Sequence, residues 1–110
     1  MKIPRLDKRV TIQYLVYARN TEKEEISTWT DLATVWASIE PVTSSQAWAA
    51  QAIQDGATVL VKIRYRRNFR PEWRFKFGYR IFEITGAPMN PDEENRWLFC
   101  TCRERLEQVA

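Results

Sequence analysis

Thr58-Val59-Leu60-Val61-Lys62-Ile63-Arg64-Tyr65-Arg66 decides the fold class. Val59, Val61, Ile63 and Tyr65 fall on one side of an extended chain, and Lys62, Arg64 and Arg66 on the other. That period of two marks a half-buried strand, because successive side chains of a pleated strand point to opposite faces. Toward the N-terminus, residues 32–42 alternate in the same way, with Ala33, Val35, Ala37 and Ile39 inward and Pro41 closing the run. Residues 9–16 place Val10, Ile12, Tyr14 and Val16 on one face and Arg9, Thr11 and Gln13 on the other. Toward the C-terminus, Asn68-Phe69-Arg70-Pro71 reads as a turn, residues 74–77 as a short strand and Gly78-Tyr79 as a tight connection. Residues 80–84 form the next strand, residues 88–95 a turn region around Asn90-Pro91-Asp92, and residues 97–106 the last strand. About six short strands parted by polar turns predict an all-β chain, a small antiparallel β-barrel or sandwich. Val10, Ile12, Val35, Ile39, Val61, Ile63, Phe82, Ile84, Leu98 and Cys100 are the expected core.

Two segments depart from this alternation. Residues 18–30 are polar and charged (Asn20-Thr21-Glu22-Lys23-Glu24-Glu25), as in a solvated hairpin or loop. Residues 43–56 open with Thr43 and Gln46 in capping-box spacing, are rich in alanine and end at Gly56, which predicts a short helix or mobile helical loop of about three turns. Its apolar residues, Ala47, Trp48, Ala49, Ala50, Ala52 and Ile53, make no clean stripe, so the segment packs weakly on its own domain and is open to a partner. The expected organisation is one domain over residues 1–110 with flexible loops near 18–30 and 43–57.

Composition narrows the function. Hydrophobic residues make up 45% of the 110, and aromatics 13% with five Trp, enough for one core with aromatics to spare for an interface. No apolar run reaches the roughly 18 residues of a membrane span. Met1-Lys2-Ile3-Pro4-Arg5 has no apolar stretch behind it, so no secretory signal is expected. Cys100 and Cys102 face the same way on one strand, at the edge of bridging distance, and read as two reduced thiols packed as small apolar groups. Assembly inside a cell is the matching expectation. The chain contains no histidine, which excludes Ser-His-Asp, Cys-His and histidine metal sites. Asp92-Glu93-Glu94 are adjacent in a turn, where side chains diverge, and the three glycines stand too far apart for a phosphate loop. No catalysis, metal or cofactor is expected.

In order and spacing, five segments resemble the phage or prophage head–tail joining family, also described as head-closure or stopper proteins. They are Arg5-Leu6-Asp7-Lys8-Arg9-Val10-Thr11-Ile12-Gln13, Trp29 with Val35-Trp36-Ala37-Ser38-Ile39-Glu40-Pro41, Val61-Lys62-Ile63-Arg64-Tyr65-Arg66, Gly78-Tyr79-Arg80-Ile81-Phe82-Glu83-Ile84, and Leu98-Phe99-Cys100-Thr101-Cys102-Arg103-Glu104. The resemblance covers roughly residues 5–104. The chain departs from the family pattern in lacking a glycine across residues 20–27 and in carrying Tyr79 where a second glycine is common. The resemblance implies a subunit of the head–tail interface of a virion, assembled in the bacterial cytoplasm. It further implies a twelve- or six-fold ring between portal or adaptor proteins and a tail completion or terminator protein, close to packaged double-stranded DNA and away from membrane. Its role would be to close the DNA channel after packaging. The alternative from another class is a small OB-like or Sm-like nucleic-acid-binding module.

Charge placement bears on both. Residues 62–80 hold eight basic residues and one acid, Glu72, a net of +7, whereas the rest of the chain holds nine basic and thirteen acidic residues. Arginines interleaved with Phe69, Trp73, Phe75 and Phe77 suit phosphates and stacked bases. The same pattern arises from a solvated strand face, or from pairing with acids of a neighbouring subunit. Arg64, Arg66, Arg67, Arg70 and Arg74, with Trp36 and Trp48 as anchors, are the candidate partner or DNA-channel surface. Ser44, Gln46, Gln51 and Gln54 are the candidate mobile channel loop.

Overall fold

The computed structural model describes residues 5–19, 21–42 and 49–106. Six antiparallel strands, β1 (Lys8–Arg19), β2 (Glu25–Pro41), β3 (Val59–Arg64), β4 (Arg74–Phe77), β5 (Arg80–Ile84) and β6 (Trp97–Leu106), close into a barrel in the order β1-β2-β3-β6-β5-β4. One helix, α1 (Ala49–Gln54), and a 3-10 turn at Pro91–Glu93 interrupt them. The all-β expectation is borne out, and of the two architectures it allowed, the closed one forms.

The inward rows fill the barrel. Val10, Ile12, Ala37, Val61, Ile63, Phe75, Phe82, Leu98, Cys100 and Cys102 make one buried cluster, with Val35, Ile39 and Ile84 packed against it. Phe75 lies opposite Phe82 across β4 and β5, and opposite Ile12 across β4 and β1, so the largest rings sit where three strands meet. Phe69 stacks on Phe75 (centroids 5.8 Å apart) and meets Trp73 edge-on at 5.2 Å. The turn after β3 thus packs two rings against the core, and aromatics read as able to stack bases are engaged inside. Gly78 (φ +63) supplies the left-handed residue of the β4–β5 turn, where a side chain would be strained.

β1 pairs over its whole length with residues 25–37 of β2, but β4 reaches only Thr11–Gln13 of β1, and β3 only Ala37–Pro41 of β2. Tyr14–Arg19 and Glu25–Thr30 therefore leave the barrel as a two-stranded ribbon about 20 Å long. The molecule measures 53 × 27 × 23 Å. Residues 18–19 and 25–30, read as part of a hairpin or loop, are strand. Where the ribbon departs, Ile12 pairs with Ala33 and Gln13 with Asp31, so Leu32 is an extra residue in β2, a β-bulge. Val16 is 38% exposed, although it shares a face with Val10 and Ile12, because no barrel interior lies beneath it. Tyr65 is likewise exposed, lying past the end of β3.

α1 ends as expected: Gly56 adopts φ +93 and its N–H bonds to the Ile53 carbonyl at 3.0 Å. Ala49 and Ala52 are buried while Ile53 is exposed. Residues 43–48, the proposed start of the helix, lie outside the described residues.

Candidate functional site

An open cleft of about 310 Å³ lies where β2 and β3 part, lined by Val35, Trp36, Arg64, Tyr65 and Arg66. The register explains it. Ala37 pairs with Ile63, so continued pairing would set Trp36 beside Arg64 and Val35 beside Tyr65. Instead β3 stops at Arg64, and the Tyr65 N–H donates to the Arg96 carbonyl (3.0 Å), turning the chain toward β6. Trp36, on the outward row of β2, is left 49% exposed.

Cations cover the aromatic faces here. The Arg9 guanidinium lies 5.0 Å from the Trp36 ring centre, and that of Arg64 lies 5.4 Å from Trp97. Stacking of this kind fixes a guanidinium plane while leaving its N–H groups directed at solvent or a ligand. Among the described residues neither Arg66 nor Arg67 has an acidic partner. The cleft therefore offers anion-binding groups beside a flat apolar wall. Three residues singled out from sequence, Trp36, Arg64 and Arg66, meet in it.

Apart from Arg67, the rest of the basic stretch is engaged within the chain. Lys62 pairs with Glu40 (3.2 Å), which also accepts from the Ser38 hydroxyl, and lies over the Phe99 ring. Arg80 makes a two-pronged bond to Glu104 at 2.9 and 2.8 Å. That bond holds the Glu104 carboxyl below, and the Arg80 guanidinium above, their ordinary ranges. Arg70 and Arg67 sit on the exposed turn, Arg70 beside Glu72 at 3.7 Å. Arg74 serves the ribbon base: its Nε–H donates to Gln13 Oε1 (2.8 Å), its guanidinium lies 4.2 Å from the Trp29 ring, and Gln13 Nε2–H donates to Asp31 Oδ1 (2.7 Å). Gln13 is only 6% exposed on the outer face because this cluster covers it.

Sequence reasoning missed the Arg74 cluster. Arg74, Gln13 and Trp29 are far apart in the chain, and only the β1–β4 pairing joins them. Gln51 and Gln54 are exposed on α1, Gln51 bonded to Asp55. Ser44, Gln46 and Trp48 lie outside the described residues. Both thiols are free and buried; burial pushes Cys100 up to about 12 and Cys102 well above its usual range. Among the described residues no cluster of His, Cys, Asp or Glu could hold a metal ion, and no helix is long and apolar enough to cross a membrane.

The family described as phage head completion protein matches residues 1–105 of this chain. The chain belongs to the phage head completion protein family. That is a structural family of the phage head, and the resemblance carried by the five segments is borne out. The solution structure of protein SF1141 from Shigella flexneri 2a is similar, at 36% identity and a TM-score of 0.75, over 98% of this chain and 100% of that one. A chain in the virion of a native gene transfer agent particle shares the fold, at 24% identity and a TM-score of 0.65, over 94% of this chain and 99% of that one. No curated protein matches the chain by sequence.

Proposed function

We propose that the chain is a head–tail joining subunit, forming a ring of twelve or six copies between portal or adaptor and tail and closing the DNA channel after packaging. The family match over residues 1–105 carries this reading. The molecule's form supports it: among the described residues the barrel interior is filled by apolar side chains, so binding falls to the outside. The cleft around Trp36, with Arg64 and Arg66 lining it and Arg67 on the turn that follows, is the partner surface, suited to an acidic or aromatic segment of a neighbouring protein. Residues 43–56 are the candidate channel-closing segment, with residues 20–27 the runner-up, and by resemblance assembly takes place in the host cytoplasm.

A nucleic-acid module is favoured by the same arginines and is separated from joining by experiment. In the double variant Arg64→Glu/Arg66→Glu, the isolated domain keeps its melting temperature while joining of tails to filled heads is lost. Duplex DNA binding by the free wild-type chain, read by fluorescence anisotropy, is weak and falls steeply with salt, since one copy offers only a few phosphate contacts. Tight, sequence-selective binding by the monomer, together with normal joining by the variant, overturns the joining role in favour of the module.

A further inference from the structure

We infer that the β1–β2 ribbon joins neighbouring copies of this chain head to tail, the β1 edge of one copy pairing with the β2 edge of the next. Among the described residues the barrel strands are paired on both sides. Among those residues the ribbon is where long edges stay open: Tyr14–Arg19 has no described partner on the β4 side, and Glu25–Trp36 none on the β3 side. Open edges of this length present rows of unpaired N–H and C=O groups, which stable monomers blunt with prolines or lysines. Here the edges carry Tyr14, Val16, Tyr17, Ile26, Thr28 and Thr30, good strand formers, with Val16, Tyr17 and Ile26 38%, 65% and 45% exposed.

The chemistry of the two edges selects a second copy. They run antiparallel and lie on opposite sides of one ribbon, and the six residues Tyr14–Arg19 match the six of Glu25–Thr30, so each supplies the partner the other lacks. Repeating the internal register across copies places Arg19 opposite the next copy's Glu25, unlike charges facing at the ribbon's outer end, as they do within the hairpin. A contact between two different surfaces of the same chain propagates in one direction, and it closes as a ring where the rotation from copy to copy completes a circle. Six residues per edge give about six backbone hydrogen bonds, a weak contact for one pair that a ring multiplies. The inference rests on the ring-forming reading above and names the surface that makes the ring.

Disulfide trapping tests it. Tyr17→Cys and Ser27→Cys proteins, one carrying a mass tag, are mixed at high concentration and oxidised; both sites are exposed, and the buried Cys100 and Cys102 stay out of the reaction. In an equimolar mixture random collision makes half of all dimers mixed, and the mixed dimer should instead be nearly the whole dimer population. An excess of either like-with-like dimer, or no excess of the mixed one, overturns the inference. Comparison with particles lacking the chain separates the two claims. If trapping fails while wild-type chain still restores tails, joining stands and the ribbon contact falls. If trapping succeeds while omitting the chain changes nothing, the contact stands and joining falls.

Discussion

Ile63 sits at the centre of the barrel, fully buried on β3 between Ala37 and Leu98. Ile63→Ala should cost on the order of 2–5 kcal/mol, lost transfer energy plus a cavity, read by urea unfolding; a cost below about 1 kcal/mol would mean that β3 does not face inward as described. The two thiols make a second test. With Cys100 pushed up to about 12 and Cys102 also raised, both by burial, neither is a thiolate at neutral pH. The native protein should resist a thiol-specific disulfide reagent at pH 8 and react at both residues once unfolded, whereas prompt labelling of the native state would contradict their placement. Glu104 gives a pH test. Its bond to Arg80 lowers its folded pKa, so its stabilising contribution is complete above the ordinary carboxylate range and is lost as pH falls through the folded value. Melting temperature should therefore drop on acidification, and drop less in Glu104→Gln. An equal drop in both proteins would assign the acid sensitivity elsewhere.

At the scale of elements, the bulge at Leu32 is the decisive feature. It sets Trp29 and Asp31 on the outer face with Gln13, where Arg74 covers them. Deleting Leu32 would leave Asp31 opposite Gln13 and Trp29 opposite Leu15, so the cluster is tested at Arg74 instead, where Arg74→Met removes the donor to Gln13 and the cation over Trp29. That substitution should cost roughly 1–3 kcal/mol through the buried Gln13 amide left unpaired and shift the tryptophan emission; an unchanged melting curve would show that the cluster does not hold the ribbon. This feature also marks the limit of what the sequence discloses. Strands β3 to β6 were readable because their inward rows are apolar and barrel packing enforces the alternation. The outer half of the ribbon reads only as a hairpin or loop, because a strand with no core beneath it has no reason to alternate, and its Glu-rich tip imitates a loop. Phe75 was read with the basic surface because Arg74 and Lys76 flank it, yet that flanking is the alternation of a strand whose inward residue is the largest ring of the core. Trp36 and Arg64 could each be placed outward from periodicity, but their meeting in one cleft depends on where β2 and β3 stop pairing.

For the whole molecule, the account is of a filled barrel that acts through its outside: a cleft with Trp36 and unpaired arginines, and a ribbon with two open edges. Of the eight basic side chains of residues 62–80, Lys62 is engaged within the chain by Glu40 and the Phe99 ring, Arg70 by Glu72, Arg74 by Gln13 and the Trp29 ring, and Arg80 by Glu104. The +7 of that stretch therefore overstates what a partner meets, and the cationic surface narrows to Arg64, Arg66 and Arg67. A narrow patch suits one segment of a neighbouring protein better than a long track of phosphates. The most direct test is assembly in the absence of the chain, with particles scored by electron microscopy for tails and by nuclease treatment for protected DNA. The account predicts heads that fill and then lose nuclease protection, without tails, and recovery of both when purified chain is added. Tailed particles with fully protected DNA in its absence would contradict it.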